Sequence, residues 1–324
     1  MNSSTAPFPV TAGLLSITVK EPFDSAFTKN FIVVVLGCSI NYINSVLVFT
    51  FFKHHEFRNN PRYMLYIHLV CNDILQLSVS VILHVAVYTW PQMNASLCAA
   101  LLLIASFTSM NTPLNLAGMA VERHIAICNP LRHTQICTVR RTYILITLIW
   151  GVGAIPGLAD LVLALLYKPL TFFHTNLMCY IEAVFNSPQT AVKNNVSLPL
   201  YMSFVWLTLI YTYLRVLLTA KSASTDPVSA RKARNTILLH GAQLLLCMLA
   251  YISPTVNVEL LSLFPKYRSH VLFMTYLISH IMPRVLSPLI YGIRDEKFWK
   301  HLKDYWLCAD HRRKVTPEAF MTKK

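Results

Sequence analysis

Charged residues are scarce in this chain of 324 residues, where Asp, Glu, Lys and Arg together make up only 13%. Soluble domains carry roughly 25% charged residues, so this shortage excludes an ordinary soluble protein. Glycine is scarce too, with 8 residues, and none forms a phosphate-cradling loop or the nucleophile elbow of a hydrolase. The chain is therefore expected not to be an enzyme, and no cofactor is expected.

Apolar residues, in contrast, make up 55% of the chain and fall into seven runs long enough to cross a bilayer. The predicted spans are 29–52, 62–88, 97–128, 142–166, 196–220, 234–261 and 270–293. We therefore predict an all-α membrane protein, a seven-transmembrane helix bundle. Its parts would be an extracellular tail over 1–28, a transmembrane domain over 29–293 and a cytoplasmic segment over 294–324. Residues 295–307 have one apolar and one basic side, which predicts a short amphipathic helix on the membrane surface.

Two independent signals predict the orientation in the plasma membrane. Most of the 28 basic residues lie in the loops and carboxy-terminal segment that share one side of the bundle, which makes that side cytoplasmic. The acceptor triplets for N-glycosylation begin at Asn2, Asn94 and Asn195, and all three fall on the opposite side. The amino terminus is thus expected outside and the carboxyl terminus inside. The net charge of +14 then indicates contact with anionic lipid and no nucleic-acid partner.

The most specific motif is Met119–His133, with the sequence MAVERHIAICNPLRH. It resembles the signature MAxDRYxAICxPLxY that ends the third transmembrane helix of odorant receptors, which belong to the rhodopsin-like class A of G-protein-coupled receptors. Glu122 and His124 replace Asp and Tyr of that signature, whereas Arg123 is retained. The neighbouring charges of Glu122 and Arg123 suggest an ion pair at the membrane edge. The resemblance implies that these three residues act as a switch for G-protein coupling.

Two further stretches resemble the same family. Residues 232–240 retain most of the pattern KAxxTCxxH, and residues 287–291 resemble NPxxY with Ser in place of Asn. A proline in the sixth span predicts a kink about which that helix can swing. The resemblance covers nearly the whole chain, and its departures in the external loop suggest a divergent branch of the fish and amphibian type. The remaining switch residues are Pro254, Ser287, Pro288 and Tyr291.

The cysteines do not have metal-ligand spacing, and no metal site is expected. Only Cys98 and Cys179 are placed outside, where oxidation is possible. The resemblance implies a disulfide between them, which would pin the long loop 167–195 over the bundle. Cys308 follows the predicted surface helix and is a candidate for palmitoylation.

Three polar residues are predicted inside the bundle. Asp73 lies in the middle of the second span. A carboxylate buried in the membrane is costly, so its presence there indicates a functional role. The resemblance implies that Asp73 and Asn44 match the family's sodium-binding Asp and conserved Asn. Arg284 lies one turn before Pro288, and we hypothesise that it pairs with Asp73 in place of sodium. In the alternative, Arg284 extends toward external water without an acidic partner.

A ligand pocket is expected in the external half of the bundle. Amine receptors have an Asp at the position of Ala105, so a monoamine held in that way is not expected. Asp160 and Glu259 are carboxylates that could receive a cationic ligand or serve as interhelical and loop-facing residues. The candidate ligand contacts are Ala105, Ser106, Ser109, Met110, Tyr251, Asn257 and Glu259.

The resemblance implies an odorant receptor for a small, water-borne odorant, with a stimulatory olfactory G protein that raises cyclic AMP as its partner. Membrane lipids are further expected partners, and the sequence does not decide whether the receptor forms a dimer. One alternative is a non-olfactory rhodopsin-like receptor for a peptide or a lipid. The other is a transporter or channel, against which the lack of internal repeats and of a broken helix pair argues.

Overall fold

The structure is a computed structural model that describes residues 22–90, 92–223, 245, 252–253, 256–257 and 259–286. The predicted surface helix and the motif at 232–240 lie outside these residues, so both stay predictions. The same holds for most of the two terminal segments. Seven candidate site residues also lie outside: Asn2, Tyr251, Pro254, Ser287, Pro288, Tyr291 and Cys308.

Five helices among the described residues are long and apolar enough to cross a membrane. They are α1 (Phe23–Lys53), α2 (Pro61–Thr89), α3 (Ala95–Cys128), α4 (Val139–Tyr167) and α5 (Pro188–Ala223). They correspond to the first five predicted spans. The described residues of the sixth predicted span, 245, 252–253, 256–257 and 259–261, are also helical.

The seventh predicted span is represented by a segment that we call the 268–286 helix. It is α-helical over Arg268–Tyr276 and π-helical over Leu277–Ile281, and it continues helically to residue 286. In the π-helical turn the N–H of Met282 donates to the carbonyl of Leu277, five residues earlier. Such turns are rare and often lie at functional sites.

The short elements connect these helices on two sides. Short helices His55–Arg58 and Pro130–Ile136 follow α1 and α3. The loop between α4 and α5, which we call the external loop after its predicted side, contains a 3₁₀ turn at Leu170–His174, a strand at Asn176–Leu177 and a short helix at Ile181–Val184. Strand β2 (Asn176–Leu177) pairs antiparallel with β1 (Met93–Asn94), which directly precedes α3.

Helix α5 begins about two turns earlier than predicted. Ser187 accepts a hydrogen bond at 3.1 Å from the N–H of Thr190, and Pro188 occupies the first turn, where its missing N–H costs nothing. Most of the residues that follow, up to Asn195, are polar, so the apolar run that predicted the helix did not include them. As a result Asn195 lies on a helix, where its side chain is exposed, and not at the end of a loop.

Helix α3 occupies the centre of the described bundle and contacts α2, α4 and α5, while α1 packs on α2. A large apolar core joins these helices around Leu65, Leu69, Leu116 and Val205. Large apolar side chains also cover the outer faces, as they must where lipid is the solvent.

Two glycines of α4 allow α3 to approach closely. A Cβ atom on Gly153 would collide with the side chain of Asn111, and one on Gly157 would collide with the ring of Phe107. Gly151, on another face of the same helix, has open space around it. Small residues four apart permit such close packing between membrane helices. The α3–α4 contact therefore depends on the absence of side chains at two positions.

Candidate functional site

A cavity of about 650 Å³ lies between α2, α3, α4, α5, the 268–286 helix and the external loop. This volume suits a small organic molecule. Four predicted pocket residues of α3 line it: Ala105, Ser106, Ser109 and Met110. Tyr201 of α5 also lines the cavity, and its hydroxyl donates a 2.7 Å hydrogen bond to the carbonyl of Met110. These α3 residues thus lie at the cavity, and their role in ligand binding stays a proposal.

The external loop closes over this cavity. The predicted disulfide between Cys98 and Cys179 is present, with the two Cα atoms 5.5 Å apart. Cys98 is fully buried at the start of α3, and Cys179, Ile181 and Phe185 of the loop line the cavity. The loop is therefore fixed to α3 at the point where it covers the site.

A lysine at the end of α4 holds the same loop from its other side. The ammonium group of Lys168 donates a 2.7 Å hydrogen bond to the carbonyl of Ala183 and lies 3.9 Å from the centre of the Phe172 ring. Burial lowers the pKa of Lys168, because the charged form loses water.

One carboxylate of the cavity is already neutralised. Asp160 forms an ion pair with Lys193, which also donates a 3.0 Å hydrogen bond to the carbonyl of Pro156. The prediction that Asp160 could receive a cationic ligand is therefore not supported, because α5 supplies its cation. The early start of α5 explains this, since Lys193 was expected in the loop and lies on the helix instead.

Glu259 and Asn257 are not among the described residues that line the cavity. Glu259 is exposed, and Asn257 is partly buried. The exposure of Glu259 does not support its placement as a ligand contact, and the roles of both residues stay predictions.

A ladder of polar side chains forms one wall of the cavity. Tyr276, His280 and Arg284 follow at intervals of four residues on the 268–286 helix, and all three line the cavity. The Tyr276 ring stacks between His84 of α2, at 4.6 Å between ring centres, and His280, at 5.4 Å. The Tyr276 hydroxyl lies 2.9 Å from the hydroxyl of Ser80. Helix α2 and the 268–286 helix are thereby joined across the cavity wall.

Arg284 does not pair with Asp73 in the described part of the chain. Its Nη1 atom donates to the carbonyls of Ser279, at 3.3 Å, and His280, at 3.0 Å. These carbonyls lie one turn earlier, and helical side chains tilt toward the amino-terminal end of their helix. The guanidinium is therefore directed toward the amino-terminal end of its helix and the cavity. This agrees with the alternative in which Arg284 has no acidic partner. Asp73 and Asn44 are both buried, at 1% and 0% exposure.

At the opposite end of α3, Glu122 is bonded to a residue that sequence reasoning missed. Its carboxylate lies 3.0 Å from Nε2 of His133, in the short helix that follows α3. The expected pair with Arg123 is not formed, because adjacent residues on a helix do not face each other. His124 instead packs edge-on against Tyr211 of α5, with ring centres 5.8 Å apart. The signal for His133 was available, since it stands at the last position of the quoted signature.

Near this pair, burial raises the pKa of the Cys137 thiol, and the charge of Glu122 raises it further. The charge of Arg141 acts in the opposite direction. Cys137 is thus a thiol that stays protonated to higher pH than an ordinary cysteine, and its state depends on Glu122.

Comparison with known proteins identifies the family. Residues 43–291 match the family described as the 7 transmembrane receptor (rhodopsin family). The chain is 30% identical to Odorant receptor 131-2 of Danio rerio over 296 residues, which cover 91% of this chain and 89% of that protein. It is 24% identical to Olfactory receptor 51E1 of Homo sapiens over 329 residues, covering 96% of each.

These matches agree with the described helices and confirm the predicted seven-transmembrane, all-α fold. They place the chain in the membrane as a multi-pass protein of a receptor class. The chain therefore belongs to the rhodopsin family of seven-transmembrane receptors, and within that family to the odorant receptors.

Proposed function

We propose that this receptor binds a small, water-borne odorant in the cavity and activates a stimulatory olfactory G protein, which raises cyclic AMP. The observation that supports this most is the cavity itself. It has the volume of a small-molecule site, its α3 side carries the four predicted contact residues, and a disulfide-bonded loop covers it. A ligand there would touch four long helices and the 268–286 helix at once.

The proposed mechanism is a shift between two arrangements of the helices. A bound odorant would favour the arrangement in which the cytoplasmic end of the sixth helix moves outward. The contact between Glu122 and His133 holds the end of α3 against the following short helix. Release of this contact would let the end of α3 move, so that Arg123 lines a second cavity opened on the cytoplasmic side, where Tyr291 and the G protein could reach it.

The orientation is part of the same proposal. The amino terminus would lie outside the cell and the carboxyl terminus inside, with sugar on Asn2, Asn94 and Asn195 and a palmitoyl group on Cys308. Asn94 and Asn195 are exposed, which glycosylation requires. The division at residues 28 and 293 into tail, transmembrane domain and cytoplasmic segment belongs to this proposal as well.

Cyclic AMP in cells that display the receptor on their surface tests this proposal. A panel of water-soluble odorants is applied to the wild type and to Arg123→Ala, which should lose the response while reaching the surface equally. A ligand-evoked current that persists without any G protein would contradict the proposal and favour a channel.

A pair of cavity variants then locates the ligand. Ala105→Leu fills part of the cavity, and Ala100→Leu makes the same change on an exposed face of α3. Overpacking costs about 1–3 kcal/mol, so Ala105→Leu should raise the half-maximal concentration roughly 5- to 150-fold. Ala100→Leu should leave it unchanged. Equal responses from both variants would place the ligand elsewhere.

A further inference from the structure

A buried cation lines the deep end of the cavity. Arg284 is 4% exposed, and among the described residues its only hydrogen bonds run from Nη1 to the carbonyls of Ser279 and His280. A guanidinium has five N–H donors, so most of its donor capacity is left for another partner. Burying such a charge is costly unless an anion accompanies it, and no carboxylate of the described residues does so.

The π-helical turn explains why this cation faces the cavity. The turn at Leu277–Ile281 widens the helix one turn before Arg284, and the carbonyls of Ser279 and His280 accept from Arg284. These two bonds curl the side chain toward the amino-terminal, external end of the helix. They fix the guanidinium in position before any ligand arrives, which reduces the entropy cost of binding.

The other described charged groups that line the cavity do not pair with Arg284. Lys193 and Asp160 neutralise each other beside α4 and α5. Glu182 lies exposed in the external loop, at the mouth of the cavity. The histidines His84 and His280 stack on Tyr276 beside the deep end. An anion entering the cavity would therefore find one buried, preoriented cation at its far end.

We propose that the odorant is a small organic acid, which binds as its carboxylate on Arg284. This inference rests on the proposed function, because it takes the cavity as the odorant site. Guanidinium and carboxylate match in a planar, two-bond geometry that an amide or an amine cannot reproduce. The hydroxyls of Ser80 and Tyr276 lie in the same wall, and whichever of them accepts the hydrogen bond between the two keeps its own proton to donate to the acid. Leu77, Leu102 and Leu103 line the rest and suit an alkyl chain.

The test uses straight-chain monocarboxylates from propanoate to decanoate, each beside its amide and its amine, with cyclic AMP as the readout. The best acid should act at concentrations about 10- to 150-fold lower than its amide, as expected for bonds to a charged group. Arg284→Gln should abolish this preference, and Arg284→Lys should retain part of it. Lys53→Gln, which removes an exposed cation at the end of α1, is the matched control.

A second readout separates the two proposals. The acid should raise the unfolding temperature of the purified receptor but not that of Arg284→Gln, whether or not a G protein is coupled. Acids that stabilise the protein without raising cyclic AMP would support the ligand class and contradict the proposed coupling. Responses to amides, amines or esters that equal those to acids would overturn the ligand class and leave the receptor function standing. If Arg284→Gln fails to reach the surface, the ratio of acid to amide on the wild type and on Arg284→Lys decides.

Discussion

The contact between α3 and α4 gives the sharpest test of the packing. Gly153→Ala adds one methyl group where the buried side chain of Asn111 already lies. Gly151→Ala makes the same change two residues earlier on the same helix, where there is open space. The two variants therefore have the same helix propensity and nearly the same sequence position, and they differ in what the new methyl group meets.

The magnitudes can be worked out from these surroundings. Replacing Gly by Ala inside a helix stabilises it by about 1 kcal/mol, a gain that Gly151→Ala should show fully. Inserting a methyl group into a packed interface costs about 1–3 kcal/mol, and Gly153→Ala bears this cost in addition to the gain in helix propensity. Gly153→Ala should thus be less stable than Gly151→Ala by about 1–3 kcal/mol. At about 2–4 °C per kcal/mol, its unfolding temperature should lie several degrees lower.

Thermal unfolding of the two purified variants in detergent, followed by intrinsic fluorescence, measures this difference. Asn111→Ala removes the obstructing amide and should restore Gly153→Ala toward the stability of Gly151→Ala, since the two changes are coupled. The Asn111 amide has no hydrogen bond partner in the described part of the chain, so its loss alone should cost little. Equal unfolding temperatures for Gly153→Ala and Gly151→Ala would refute the close packing of α3 on α4.

Three further outcomes are expected. Cys98→Ser removes the disulfide, which joins two residues 81 positions apart. Its loss should reduce the free energy of unfolding by about 4–5 kcal/mol and strongly reduce surface display in flow cytometry. Normal surface display would contradict this role of the disulfide. Glu122→Gln and His133→Ala should each raise cyclic AMP without ligand, and the double variant should match either one, whereas additive increases would show that the two residues act separately. Alkylation of Cys137, followed at pH 8 by mass spectrometry, should be slower than that of a free cysteine, because its raised pKa leaves less thiolate. Glu122→Gln removes a negative charge, should lower that pKa and should accelerate the reaction; an unchanged rate would contradict the proximity.

The long helices were predictable because an apolar run of bilayer length is rarely found in anything but a transmembrane helix. The start of α5 was not predictable in this way, since most residues from Gln189 to Asn195 are polar and extend the helix beyond the apolar run. The cap at Ser187, and not hydropathy, sets that boundary. One consequence was that Lys193 was taken for a loop residue, and its pairing with Asp160 was missed.

The partners of charged residues were the hardest to predict. Composition and motif indicated that Arg284 and Glu122 matter, but the direction of a side chain depends on the local backbone. The π-helical turn directs Arg284 toward the cavity, and the short helix after α3 brings His133 to Glu122. Neither feature leaves a periodic pattern in the sequence. The α3 residues named from the sequence do line the cavity, because their side of the helix follows from helical spacing after Cys98 alone.

Gly157 lines the cavity and is also a point at which the Phe107 ring of α3 approaches α4 closely. Any larger residue there would alter the shape available to a ligand and push the two helices apart in the same step. Ligand preference on the α4 side is therefore tied to the stability of the whole bundle. The wall formed by α2 and the external loop carries no such constraint at Leu83, Val87 or Ile181, whose side chains can change size without separating two helices at a glycine contact. Receptors built on this plan would diversify their chemical preferences most readily along that wall.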